Sequence, residues 1–508
     1  MRTPHSNPSA PILEGYGPGM SEGVAAKAEL ESTRTKLFYG LGSVAFGVKD
    51  NGFQTILLPF YNLVLHIPAQ LVGLAIAIAF MFDAFLDPIV GQVSDNLHTR
   101  WGRRHPLMYA AALPVAVSYL LLWNPPHWSM GEMFVYLIVV AVVVRTFITF
   151  FEIPNSALVA ELTTDYDQRT SFLSYRIFFG WYGGLGMLVL ALFVFLVPTK
   201  EQPIGQLNEA GYGHYGMWSA IVMFSAIIIS SLGTHKFIPY LRKPEERKMT
   251  LLDSGREMMA TLNNRAFLIL MLSIMILSLA TGLVFALNYY ISSFFWLLST
   301  KEIGVMMLAG FVTVFFAFLI GPVASRMFGK VKGAIVLFCI GYVISCTPLV
   351  LGLLGIFFHP GMPNLMWILM AFAAVSGAMT IGASIPVTAM IADVVEDSEL
   401  KTGRRNEGLF FAGNSFLAKA VTGLGLFASG VLLWAAGFPT GAIPGKVDPA
   451  IVHHFALVYL VTITVVYGLG IIVLSMFPIT RESHEENLRT LAAEMAQAQE
   501  PVDMGVIR

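Results

Sequence analysis

The chain has 508 residues, of which 56% are apolar and only 12% charged, with a formal net charge of −1. A soluble globular chain carries about 25% charged residues, so this composition excludes a water-soluble enzyme and, with no basic excess, a nucleic-acid binder. The apolar residues fall into runs of about 20, the length that crosses a bilayer as a helix.

Residues 1–36 are rich in Pro, Gly, Ser and Ala and lack the basic-then-apolar layout of a signal peptide. They read as a cytoplasmic tail, with a short helix expected from about Glu22 to Ser32. Six candidate spans follow at 38–64, 70–95, 105–124, 131–158, 171–197 and 214–238, within a bundle placed at 37–240. A charged loop at 241–262 reads as a solvated linker. Six further spans, at 265–295, 302–325, 332–357, 363–394, 407–437 and 452–478, make a second bundle at 263–480. The stretch 481–508 reads as a second cytoplasmic tail, helical from Arg481 to Gln499. The fold class is therefore an all-α membrane protein with twelve transmembrane helices in two six-helix bundles.

Of the 31 Lys and Arg residues, 24 fall in the tails and in the loops on the same side as the tails. Only Lys200, Lys301 and Lys446 fall in the opposite loops. The positive-inside rule then puts both termini in the cytoplasm, in agreement with an even number of spans. Cys339 and Cys346 lie in one apolar run with no ligand cluster around them and read as packing residues.

Four basic residues remain inside spans: Lys49, Arg145, Arg176 and Lys419. Asp50, Asp83, Asp87 and Glu152 are the acidic ones, with Asp393 near a span's cytoplasmic end. Charges at membrane depth are costly, face protein or water, and mark pathways for ions or substrates. Asp83 and Asp87 are four residues apart, which stacks both carboxylates on one helical face. Such a pair shares a proton or holds a cation such as sodium; the structural alternative is a cap on a neighbouring helix or a pair with Lys419. Lys49 and Asp50 are adjacent, so the helix points them in different directions, one to a cavity and the other to a neighbouring helix.

Arg145 lies two turns before Glu152, which permits a structural Arg145–Glu152 ion pair. The other reading makes Glu152 part of a polar ring around a solute rich in hydroxyl groups. Arg176 sits among Tyr175, Trp181 and Tyr182, a mixture of charge and aromatic faces suited to a sugar. The Gly102-Arg103-Arg104 and Gly403-Arg404-Arg405 motifs lie in expected cytoplasmic loops. They serve topology alone, or they pair with Asp95, Asp393, Glu396, Asp397 and Glu399 across the two bundles as a gate. No metal-ligating His/Cys cluster and no nucleophile–base constellation is present, which argues against an enzyme.

The stretch GQVSDNLHTRWGRRHP resembles the signature between the second and third helices of the major facilitator superfamily. Together with KLFYGLGSVAFGVKD, FDAFLDPIVG, EIPNSALVAELTTDYDQRTSFLSYR and ADVVEDSELKTGRRNEGLFFAGNSFLAK, the chain resembles the glycoside–pentoside–hexuronide:cation symporters, the melibiose-permease-like family. The resemblance runs from Lys36 to about Phe477. It implies a cation site at Asp83 and Asp87 and a solute site at Lys49, Asp50, Glu152 and Arg176. It further implies a coupling lysine at Lys419 and gating residues Arg103, Asp393, Glu396, Glu399 and Arg405.

The implied activity is secondary symport of a sugar, glycoside or related solute with sodium or a proton, with no cofactor and no nucleic-acid partner, by a monomer in a bacterial inner membrane. Aromatics such as Tyr289 or Tyr290 would complete the solute site from the second half. Ser156 and Glu152 depart from the family pattern, where a Trp and an Asp stand, so melibiose is not the expected solute. A cation-coupled lysophospholipid transporter and a non-transporting membrane sensor are the alternatives.

Overall fold

The structure is a computed structural model describing residues 32–163, 165–241, 264–356, 358–402, 407–479 and 482. The expected tail helices and linker fall, except for Ser32, Leu241 and Glu482, outside the described residues. The described chain is helical with no β-strand, and folds into twelve membrane-length segments. They are α1 (33–64), α2 (Ala69–Asn96), α3 (His105–Trp123), α4 (Met130–Leu162), α5 (Tyr166–Leu190), α6 (Glu209–His235), α7 (Arg265–Tyr290), α8 (Thr300–Phe328), α9 (Lys330–Leu353), α10 (Leu365–Thr402), α11 (Glu407–Ala435) and α12 (Pro449–Ser475).

Eleven of these are long and apolar enough to cross a membrane. The exception is α1, a chain of short pieces: Thr33–Leu41, Ser43–Asn51, the π-helical Gly52–Ile56, Leu57–Pro59 and the π-helical Phe60–Val64. Its polar residues Lys49, Asp50, Asn51 and Gln54 dilute its apolar content. Polar caps set where several helices begin. Ser299 and Glu302 form a reciprocal capping box on α8, Asn264 caps α7, and Asp448 caps α12.

Packing follows one pattern twice. In the first half α1 packs on α5 and α6, α3 on α4 and α6, and α2 on α4. In the second half α7 packs on α11 and α12, α9 on α10 and α12, and α8 on α10. Each pair maps onto its counterpart by a shift of six helices, so the halves are structural repeats. The repeat reaches into detail. A π-helical turn closes α1, another (Ile291–Phe295) extends α7, and each is followed by a residue in the left-handed region, His66 (φ 59°) and Leu297 (φ 54°).

Three contacts join the halves: α2 with α11, α5 with α8, and α1 with α7. They are close because small residues line them, the usual device where lipid removes the hydrophobic drive between helices. A side chain on Gly430 would run into the Ala69 carbonyl, and one on Gly73 would lie 2.9 Å from the Leu426 carbonyl. At the end away from the termini the halves are tied by polar bonds. Tyr290 Oη donates to Asn62 Oδ1 at 2.8 Å, Gly441 N to Asn62 O at 3.2 Å, and Gln206 Nε2 to Leu298 O at 3.0 Å. This far end is shut. Beyond that seal lies an outer cavity of about 920 Å³, lined by Trp123, Asn124, Glu209, His214 and Gly441 among others, remote from the charged spans.

Three expectations are corrected here. The helix α10 continues to Thr402, so Asp393, Glu396 and Glu399 ride on its last turns rather than on a loop. The arginine–carboxylate gate between the halves is not what the described ion pairs form. Arg103 binds Glu161 (2.8 Å), Arg104 binds Glu161 (2.9 Å) and Asp95 (2.5 Å), and Lys330 binds Asp393 (2.5 Å), each within one half. Glu161 ends α4 between the two arginines and pairs with both, and Asp95 adds a second carboxylate at Arg104. Arg405 and the Glu399 side chain lie outside the described residues. Finally, Tyr289 and Tyr290 do not line a solute site. They are 1% and 0% exposed, and Tyr290 belongs to the far-end seal through its bond to Asn62.

Candidate functional site

Close approach of α1 and α5 positions the first group of charges. A side chain on Gly47 would strike the Gly180 carbonyl, and one on Gly40 would lie 3.0 Å from Tyr175. Only glycine lets these backbones touch. That contact brings Lys49 and Asp50 of α1 beside Arg176 of α5, with Glu152 of α4 between them. Lys49 Nζ lies 2.9 Å from Asp50 Oδ1 and 3.8 Å from Glu152 Oε2, and Arg176 Nη2 lies 3.8 Å from Glu152 Oε1.

Adjacent helical residues were expected to diverge, yet Lys49 and Asp50 form an ion pair. The long lysine arm curls back to reach its neighbour. Lys49 is 1% exposed and the Asp50 side chain 40%, so Asp50 presents its carboxylate to solvent while Lys49 works from behind.

The π-helical turn Gly52–Ile56 adjoins this group. Such turns leave backbone carbonyls without their helical partner and gather at functional sites. Tyr119 Oη donates to the Val48 carbonyl at 3.3 Å and bonds Tyr215 Oη at 3.0 Å. Ser156 turns its hydroxyl back onto the Glu152 carbonyl at 2.7 Å.

The second group lies between α2, α4 and α11. Lys419 Nζ of α11 is 2.6 Å from Asp87 Oδ2 and 3.5 Å from Asp83 Oδ2, and this pair bridges the two halves. Arg145 of α4 donates to Asp83 Oδ2 at 2.6 Å, and Thr149, one turn on, donates to Asp83 Oδ1 at 2.5 Å. The Arg145–Glu152 pair considered from the sequence does not form. Two turns of α4 separate them along the helix, and the aspartate on α2 takes the guanidinium instead.

The two groups neighbour each other, since Lys419 and Lys49 both act electrostatically on Glu152 and on Asp83. Four cationic and four anionic side chains thus share one membrane-depth centre. Their mutual pairing is what makes such burial tolerable.

Three residues matter here that the sequence reading did not single out. Thr149 and Glu161 complete ion pairs, and Asn62 holds the far-end seal. Only Thr149 carried a local signal, as a hydroxyl four residues after Arg145 on the same helical face.

Two halves that repeat one helical pattern around a charged membrane-depth centre, joined by one set of contacts and closed at one end, define a membrane transporter and not an enzyme. The sequence model described as "MFS/sugar transport protein" matches residues 38–481, and the chain belongs to that family. Among its relatives are an uncharacterized symporter of Synechocystis (27% identical, covering 93% of this chain and 99% of that protein) and the inner membrane symporter YicJ of Escherichia coli (26%, 80% and 83%). The isoprimeverose transporter of Lactiplantibacillus pentosus is 24% identical, with 79% of this chain and 80% of that protein covered. Solved structures with the same fold include the nucleoside transporter NupG (TM-score 0.57, 13% identity, 88% of this chain and 100% of that one). The xylose transporter XylE of E. coli in its inward-open conformation matches with a TM-score of 0.57, 14% identity and 90% and 98% coverage. The chain is a multi-pass membrane symporter of a small-molecule solute and a coupling cation.

Proposed function

We propose that the solute is a sugar, glycoside or closely related polyhydroxy compound, bound by Lys49, Asp50, Glu152 and Arg176. The observation that carries this reading is the clustering of two carboxylates and two cations from α1, α4 and α5 around a solvent-facing Asp50. Carboxylates accept from sugar hydroxyls and the cations donate to them, which suits a ligand rich in both donors and acceptors. The relative that carries isoprimeverose and the description of the family agree with a glycoside.

In this reading Asp83, Asp87 and Lys419 form the coupling centre, with sodium or a proton as the coupling cation and no cofactor. The Asp87–Lys419 pair ties α2 to α11, so a cation at Asp87 and the lysine bridge compete for one carboxylate. Binding the cation loosens a contact between the halves, and solute binding at the adjoining charges is linked to it reciprocally. Alternating access follows as one half rocks against the other around this centre. Arg103, Asp393, Glu396, Glu399 and Arg405 would regroup at the terminal end when it shuts. We further propose a monomer in a bacterial inner membrane with both termini in the cytoplasm, the arrangement the basic loops favour.

The test is uptake of labelled glycosides into vesicles holding the full chain, with sodium and pH gradients imposed separately. Uptake of a glycoside that requires a cation gradient is expected. Absence of any glycoside transport across a broad panel, with lysolipids taken up instead, refutes the solute assignment. Coupled uptake that survives both Asp83→Asn and Asp87→Asn refutes the cation-centre assignment.

A further inference from the structure

We infer that the Arg145 guanidinium is a resident counter-cation that fills the seat at Asp83, so that sodium has no site on this carboxylate pair. The inference rests on the reading of Asp83 and Asp87 as the coupling centre and deepens it by removing one of the two candidate cations. Sodium is a hard ion that needs several oxygen ligands at once, as other hard cations do. The pair offers four carboxylate oxygens, and their partners can be named one by one. Asp83 Oδ1 receives Thr149 at 2.5 Å, and Asp83 Oδ2 receives Arg145 at 2.6 Å with Lys419 at 3.5 Å. Asp87 Oδ2 receives Lys419 at 2.6 Å. Only Asp87 Oδ1 is buried without a hydrogen-bond partner. One uncommitted carboxylate oxygen leaves this pair short of the several oxygen ligands that a hard cation needs.

The two lids on the site differ in how readily they lift. Lys419 and Asp87 are 23% and 17% exposed, and a flexible ammonium arm can swing away from its partner. Arg145 and Asp83 are each 1% exposed. The guanidinium lies over the ring of Phe80 of α2, with its carbon 3.6 Å from the ring centroid, and Phe53 of α1 stands 5.5 Å away. Its Nε and Nη1 are buried without partners, so nothing but Asp83 and the two rings offsets its burial. An arginine held this way loses its one counter-ion if sodium displaces it, which leaves a buried charge unpaired, a strongly unfavourable state. If Lys419 swings away, Asp87 alone is freed, and Arg145 still holds Asp83.

The experiment uses the full-length chain in detergent and sodium itself as the probe. Unfolding is followed by tryptophan fluorescence while sodium chloride replaces choline chloride at constant ionic strength. A ligand that binds only the folded state raises the melting temperature in proportion to the logarithm of its concentration above Kd. The natural chain is expected to show no sodium-specific rise. Arg145→Met, which keeps bulk but drops the charge, is expected to gain a sodium-specific rise that grows with the logarithm of concentration and disappears in Arg145→Met with Asp83→Asn. Arg145→Lys retains the charge and is expected to stay blind to sodium. A sodium-specific rise in the natural chain that Asp83→Asn removes overturns the inference, as does a folded Arg145→Met with no sodium response. If Arg145→Met does not fold, the natural chain and Arg145→Lys still decide, because a sodium-specific rise in either that Asp83→Asn removes overturns the inference and the absence of such a rise in both upholds it. No solute enters the assay, so its outcome is independent of whether the solute is a glycoside.

Discussion

Asn62 is where removing one side chain should move the balance between the two faces of the transporter. It is 2% exposed, accepts from Tyr290 Oη at 2.8 Å and donates to Ile67 O at 2.9 Å. Asn62→Leu keeps the bulk and deletes both bonds. The Ile67 bond is local to the α1–α2 turn and is lost equally in every conformation, so it lowers stability without favouring either face. The Tyr290 bond spans the halves and exists only while the far end is shut. Deleting it strands a buried phenol, at about 1–3 kcal/mol. Charged to the closed far end alone, that penalty shifts the population about 5–150-fold toward the opposite opening. The assay is the distance between spin labels at the exposed His127 and Lys446, one on each half at the far end, in a background lacking Cys339 and Cys346. A new, longer distance should appear in Asn62→Leu. Tyr290→Phe removes the same bond without stranding a donor and should give a smaller shift, about 1 kcal/mol. An unchanged distance distribution in Asn62→Leu means the polar tie does not hold the far end shut, and the reasoning fails.

Glu161→Gln removes the carboxylate shared by Arg103 and Arg104 and leaves Arg104, 5% exposed, with Asp95 and Ser94 alone. A loss of about 3–5 kcal/mol, the scale of a broken buried pair, should lower the melting temperature; no change would show that Asp95 suffices. Glu152→Gln takes away the carboxylate that Lys49 and Arg176 flank. Solute affinity should fall by tenfold or more, about 1.4 kcal/mol per tenfold, while the sodium response of unfolding stays as in the natural chain. Gly47→Val should abolish folded protein in the membrane, since its side chain meets the backbone of Gly180 rather than a movable group. Recovery of monodisperse Gly47→Val at normal yield would count against the close α1–α5 contact.

Much of the architecture was legible in the sequence because the bilayer imposes it locally. Every backbone group in the hydrocarbon must be satisfied within its own segment, so length and apolar content announce each helix whatever its neighbours do. Eleven of the twelve segments can be read this way. The first is less plain: Lys49, Asp50, Asn51 and Gln54 interrupt it, and no local pattern encodes its two π-helical turns or the bond from Tyr119 to the Val48 carbonyl beside the first. The end of α10 was placed too early for a different reason. The charges from Asp393 to Glu399 read as a loop in hydropathy, yet charge does not end a helix that has left the membrane, and Glu396 and Glu399 are good helix formers.

The sequence by itself determined the membrane class, the two sets of six spans and the identity of the charges that belong to the centre, because a charge at membrane depth is conspicuous wherever it points. Which charge meets which was decided only by the tertiary structure. Arg145 stands near Glu152 in sequence but is paired with Asp83, Lys49 folds back onto Asp50, and Arg103 and Arg104 find Glu161 instead of the opposite half. Pairing is fixed by the approach of different helices to within a few ångströms, and that approach depends on glycines such as Gly47 and Gly180 facing one another across an interface. Helical spacing says which residues share a face; only packing says what that face meets.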